Sequence, residues 1–265
     1  MTAPLPMDDA QLNQVWARLD LVMDPELDEP VTDMGFIEAV SITETALQNT
    51  ATVHVSFRLP TYWCSPNFAF LMAGDIKRQI EVLPWVGQAV VTLHDHMAAE
   101  EMNRAINSGA SFGSVFEGLH PGEDLAALRE KFDVKAFQRR QEVVIKALIA
   151  QGFLPTEVVA MPLGLLEGTA LNDPEAARQK SRYLAILAQK PASLASGLAF
   201  PTYQGTAIAD YPMYMGLLRS VRINMEFSGS LCRGLKASRY QVADLSGDVP
   251  VLVEFSAPTL SHACR

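Results

Sequence analysis

Cys64 is one of three cysteines in the chain, and it falls where an alternating apolar run gives way to a helical one. A thiol at that junction lies beside the free backbone N–H groups of a helix N-terminus. Those groups favour negative charge and activate a cysteine as nucleophile or soft metal ligand. The alternative is a packed cysteine acting as a small hydrophobe. His94-Asp95-His96 is the second candidate. If the strand before it continues, His94 and His96 point to one side and Asp95 to the other. Two imidazoles so placed suit a divalent metal ion, and Cys64 with a carboxylate from Asp24 or Glu26 would complete a site. The alternative is a polar strand end leading into a helix. Cys232 is followed by Arg233 and Lys236, whose charge would activate it if it does not simply pack in a strand. Cys264, near His262, reads as a frayed tail or as a Cys/His tail that hands over a metal ion.

Local pattern sets the elements that must position these residues. In Ala51–Leu59, Val53, Val55, Phe57 and Leu59 take one face, as in a half-buried strand. Ser65 can cap a helix running Pro66–Leu83, with Pro66 at its first position and Phe68, Met72, Ile76 and Ile80 as its apolar stripe. Upstream, Leu12, Val15, Trp16, Leu19 and Val22 share a helical face from Asp8 or Asp9 to the Asp24-Pro25 break. A Pro- and acid-rich loop follows, then a strand over Phe36–Thr43 with Val40 and Ile42 inward. Val86–Leu93 is apolar on both faces, as in a central strand. Ala98–Asn107 reads as a helix ended by Gly109. The sum is a small α/β layer with one covered sheet face.

Three stretches in this order resemble the PaaD/SufT-like family of metal–sulfur cluster assembly proteins: Asp24-Pro25-Glu26-Leu27, Asp33-Met34-Gly35-Phe36-Ile37, and Thr61 three residues before Cys64. The resemblance spans about residues 8–100. It departs from the family at Pro60, at Trp63 in place of a glycine, and at Ser65, with proline one place later. A tryptophan does not allow the close backbone approach of a glycine. The resemblance implies a compact α/β domain in which Cys64 is the reactive thiol or metal ligand. It makes Asp24, Glu26, Asp33 and Thr61 the polar neighbours of Cys64, with iron or an iron–sulfur cluster as transient cargo. It also implies a client metalloenzyme, such as a bacterial di-iron monooxygenase, or the iron–sulfur assembly machinery as partner. A homodimer is left open.

The chain has 265 residues, 49% of them hydrophobic, and a net charge of −9. That charge argues against nucleic acid or an anionic membrane as partner. Three scattered cysteines make no disulfide framework and fit a reducing cytoplasm. No signal peptide and no membrane-length apolar run are read from the sequence. The domain reading is 1–107 as the PaaD-like domain, 108–122 as a Gly/Ser-rich linker and 123–265 as a client-binding region. In that region Leu125, Leu128 and Phe132 mark one helical stripe. Phe137, Val144, Ile145 and Leu148 mark another, with a shift of phase near Asp133. Asp173-Pro174 opens a further helix, and Arg139, Arg140, Arg178, Lys180 and Arg182 read as solvated. Val221–Phe227 and Val249–Phe255 alternate like strands, with a turn at Ser228-Gly229, so the fold class is α/β and α+β with a small antiparallel sheet last. Three functions are carried forward: a maturation factor for an iron–sulfur cluster or iron centre, a thiol-dependent enzyme with His94 or His96 as base, and a non-catalytic docking module.

Overall fold

The computed structural model describes residues 9–45, 50–116, 125–189 and 197–240. The chain divides into two compact units. One takes Met1–Asp24, Glu29–Gly122 and Ser228–Arg265; the other takes Pro25–Asp28 and Glu123–Phe227. The mixed α/β class expected from the sequence is the class observed.

In the first unit, α1 (Asp9–Leu19) ends before the expected break. A backbone bond from Val31 N–H to the Val22 carbonyl at 2.9 Å takes the following residues into β1 (Met23–Asp24), paired antiparallel with β2 (Glu29–Pro30). The acid-rich stretch is thus partly a ladder rather than a free loop. β3 (Ile37–Thr45), β4 (Thr50–Arg58) and β5 (Val86–His94) form the main sheet in the order β3-β4-β5. β3 and β4 are antiparallel; β4 and β5 are parallel. β4 alternates as expected, with Val53, Val55 and Phe57 buried. β4, not β5, is the central strand.

α2 (Pro66–Glu81) packs on β5 through a stripe of Ala69, Met72, Ala73, Ile76 and Ile80. α3 (Ala99–Ser108) packs on β5 as well and stops at Gly109, whose φ of 75° suits glycine. It also answers the edge of β5. The Asn103 side chain accepts from Leu93 N–H at 2.8 Å and donates to the Leu93 carbonyl at 3.0 Å. Asn107 does the same for Val91, at 3.0 and 2.8 Å. Each amide imitates one residue of a neighbouring strand, so this edge of β5 is covered rather than open. The stretch expected as a linker holds α4 (Phe112–Phe116), with both its phenylalanines buried and Phe70 against Phe112 at 5.3 Å.

The second unit is helical. α5 (Leu125–Ala150) is one continuous helix across the phase shift. It packs against α8 (Pro174–Gln189), with the short α6 (Pro155–Val159) and α7 (Leu163–Gly168) between them in the chain. Phe137, Val144, Ile145, Leu148, Tyr183, Phe200 and Leu218 form the core. Gln141, fully buried, donates to Tyr183 Oη at 3.0 Å and to the Pro201 carbonyl at 2.8 Å, and accepts from Tyr214 Oη at 2.6 Å. Arg140 is not solvated as expected: it is buried and grips the Asp28 carboxylate through Nε at 2.8 Å and through a second nitrogen.

α9 (Tyr211–Tyr240) runs through the segment expected to form a strand and a turn. A two-residue alternation always contains pairs four apart, and these stack on a helix. Val221 and Met225 turn inward, while Ile223 and Phe227 are exposed. Gly229, expected in a turn, is inside the helix. Residues 249–255, His262 and Cys264 lie outside the described residues. Among those described, no helix is long and apolar enough to cross a membrane.

Candidate functional site

β4 and β5 run parallel and release their chains at the same end of the sheet, Arg58 opposite His94. Loops at the carboxyl ends of parallel strands are where α/β folds place their sites. After β4, Leu59 and Pro60 are buried and Thr61–Cys64 make a turn, closed by Cys64 N–H to the Thr61 carbonyl at 3.4 Å. Thr61 Oγ1 lies 3.3 Å from Cys64 Sγ. The thiol is half-buried, and Tyr62 and the 74% exposed Trp63 stand beside it, their rings edge to face at 4.9 Å.

The chain after β5 fixes this loop from behind. Asp95 takes φ 51° and ends the strand. His94 therefore stays exposed while His96 turns inward, and the expected side-by-side imidazole pair does not form. Ala98 N–H donates to His96 Nδ1 at 3.1 Å, so Nε2 carries the hydrogen and donates to the Cys64 carbonyl at 2.8 Å. Met97 N–H donates to the Tyr62 carbonyl at 3.0 Å. Both nitrogens of His96 are occupied, which leaves no lone pair for a metal. Its link to Cys64 is through the carbonyl, not the sulfur. Burial holds the His96 pKa below its ordinary value, and the bond to Cys64 offsets this in part.

Ser65 occupies the position before α2, but its hydroxyl makes no capping bond, contrary to expectation; Pro66 does stand at the first position. Of the polar neighbours expected around Cys64, Thr61 reaches the sulfur. Asp24 is buried on β1, which lies against α2. Asp33 is exposed in a turn closed by Gly35 N–H to the Thr32 carbonyl at 2.9 Å. Glu26 is half-buried and falls with the helical unit. Among the described residues, no group of three or more His, Cys, Asp or Glu side chains is placed to hold a metal ion.

The sequence reading missed the last turns of α9. Tyr240 Oη donates to Asp95 Oδ2 at 2.7 Å, and Arg239 pairs with the same oxygen at 2.9 Å. The Arg58 guanidinium lies 4.7 Å from the Tyr240 ring centre. Burial, together with the Asp95 carboxylate, pushes the Tyr240 hydroxyl pKa up. Arg233 pairs with Glu29 and touches Met34 Sδ at 3.5 Å. Nothing local in a segment about 145 to 204 residues downstream signals these pairings; only the mixture of aromatic and basic residues in Arg233–Tyr240 could have drawn attention.

Residues 12–91 match the family model described as iron-sulfur cluster assembly protein. This matched segment runs from α1 into β5 and includes the Cys64 loop, so the resemblance read from the sequence holds there. It supports a general role in iron–sulfur cluster assembly. No curated protein matches the chain.

Proposed function

We propose that the protein is an accessory maturation factor that passes iron, or an iron–sulfur cluster, to a client enzyme through the Cys64 loop. The carrying observation is the half-buried Cys64 thiol beside Thr61, in a loop anchored by His96 and flanked by exposed Tyr62 and Trp63. A thiolate is a soft ligand suited to iron in a cluster. One thiolate holds such cargo weakly, because a permanent cluster site wants about four. A carrier must release what it holds, and the client's own ligands would complete and then take over the coordination. His94, exposed at the end of β5, offers an imidazole to the same cargo. Asp24, Glu26 and Asp33 enter only as the family resemblance carries them. His96 is a positioning residue that sets the path of the Cys64 backbone. A di-iron monooxygenase is the proposed client class, and a reducing cytoplasm the proposed compartment.

Ferrous iron titrated without oxygen into wild type and Cys64→Ser, followed by activation of apo-client, tests this reading. The expected result is a drop of tenfold or more in both iron affinity and client activation for Cys64→Ser, on the order of 1.4 kcal/mol or more. Equal binding and equal activation by the two proteins would overturn it. Equal binding with lost activation would favour a docking role, which the exposed Tyr62–Trp63 pair supports as a second reading. The thiol-enzyme reading has less behind it, since His96 addresses the carbonyl of Cys64 and not its sulfur.

A further inference from the structure

In the helical unit, α5 and the first half of α9 enclose an open groove of about 590 Å³. Ile149, Ala150, Pro212 and Met215 give it an apolar floor, and Gly216 leaves its wall low, with no atom near the place of a side chain. The groove continues onto an uncovered stripe of α9. Met213 is 72% exposed and Phe227 71% exposed, and Leu217 and Ile223 lie between them, also exposed. At 100° per residue these four, with Gly216, Ser220 and Asn224, occupy one face, and none carries a charge. The stripe is about 20 Å long at 1.5 Å per residue, roughly four helical turns. That is longer than a small ligand needs and is matched to a helix laid alongside.

The charges beside the groove decide what kind of helix. Lys146 and Arg219 line it, and among the described residues no carboxylate pairs with either. Glu142 also lines it but is buried and already held by Arg222 at 2.7 Å, and Arg222 holds Glu226 at 2.7 Å as well. Three cations thus face two carboxylates, in a chain whose net charge is −9. The two unpaired cations stand where they would meet acidic residues flanking an apolar face.

We propose that this groove docks an amphipathic helix of a partner protein, one with apolar anchors at i, i+3 or i+4, and i+7 and with Asp or Glu on its flank facing Lys146 and Arg219. The groove belongs to the helical unit and Cys64 to the other unit, and the proposal does not depend on the iron-handling reading.

The test is to pan a displayed library of helical peptides against the full-length protein, with Lys146→Glu/Arg219→Glu as counter-target. Both substituted residues are exposed, so circular dichroism of the double variant should match wild type. Selected peptides are expected to show the apolar spacing with an excess of Asp and Glu. They should bind wild type with a Kd at least tenfold tighter than the double variant, and at least tenfold tighter than Leu217→Asp, with the difference from the double variant shrinking as salt rises. Selected peptides without acidic excess, or equal binding to wild type and the double variant, would overturn the proposal. So would sedimentation showing a wild-type dimer that Leu217→Asp converts to monomer, because the stripe would then be a self-association surface. Loss of iron transfer in Cys64→Ser with peptide binding intact separates this site from the first.

Discussion

His96 shows how one side chain can set the path of a loop through two hydrogen bonds to backbone groups. Its ring receives Ala98 N–H and gives its own hydrogen to the Cys64 carbonyl, so it ties two loops together only in the neutral form. A second proton would occupy Nδ1 and break the bond from Ala98. The folded ring therefore takes a proton less readily than the unfolded chain, in keeping with its lowered pKa. Its contribution to stability is complete above the ordinary histidine value of 6.5 and is lost as pH falls from there through the lowered folded value. Unfolding by denaturant at pH 7.5 and 5 should show a smaller pH dependence for His96→Gln than for wild type, and a loss of about 1–3 kcal/mol at the higher pH. An unchanged pH dependence would mean the ring is not the titrating group. The residue was legible as a candidate from sequence, but its role was not. The expected metal-binding pair assumed that the strand continues through Asp95, and only the positive φ of that residue separates His94 from His96.

At the scale of elements, β4 and α2 were readable because each pairs one apolar face with one polar face, and the period of that pattern is the structure. β5 was misread as central because the amides that close its edge come from α3, whose Asn103 and Asn107 look like ordinary surface residues in sequence. They are expected to matter more than surface asparagines do. Asn103→Ala with Asn107→Ala removes four hydrogen bonds from Val91 and Leu93, groups that remain half-shielded. A cost of about 2–4 kcal/mol is expected, with a rise in concentration-dependent association as the strand edge opens. Chemical denaturation and light scattering measure the two effects; a change under about 0.5 kcal/mol would show that water replaces the amides without loss. α9 was misread for a different reason. Val221–Phe227 fits both periods, and its partners are remote in the chain, so no local signal could choose between helix and strand.

Taken as a whole, the molecule keeps the Cys64 loop in a unit assembled from distant parts of the chain. Arg233 on Glu29, and Tyr240 and Arg239 on Asp95, bring the end of α9 into the unit that holds Cys64. A chain ending after Phe227 should therefore lose stability in that unit. All three tryptophans, Trp16, Trp63 and Trp85, belong to it, so the midpoint of thermal unfolding followed by indole emission should fall by several degrees, about 2–4 °C per kcal/mol for a unit of this size. An unchanged midpoint would mean that the pairings contribute nothing, as many exposed ion pairs do. The order of three motifs was enough to show a resemblance to iron–sulfur cluster assembly proteins at the front of the chain, and residues 12–91 match that family model. It was silent on the end of α9, because contacts between residues about 145 to 204 positions apart leave no periodic trace.

The exposed indole beside Cys64 also has an optical consequence. Trp85 is half-buried with its ring N–H held by Gln14 at 2.8 Å, and Trp16 is 37% exposed, whereas Trp63 stands 74% in solvent. Trp63 should therefore dominate the red edge of the emission spectrum, and iron or a cluster arriving at the neighbouring sulfur should quench it. Loading is expected to darken the red edge in wild type and to leave Trp63→Phe nearly unchanged. Equal quenching in both proteins would place the cargo away from this loop. If the red edge does darken, the protein carries its own lamp beside Cys64, and release of the metal can be watched in real time as the light returns.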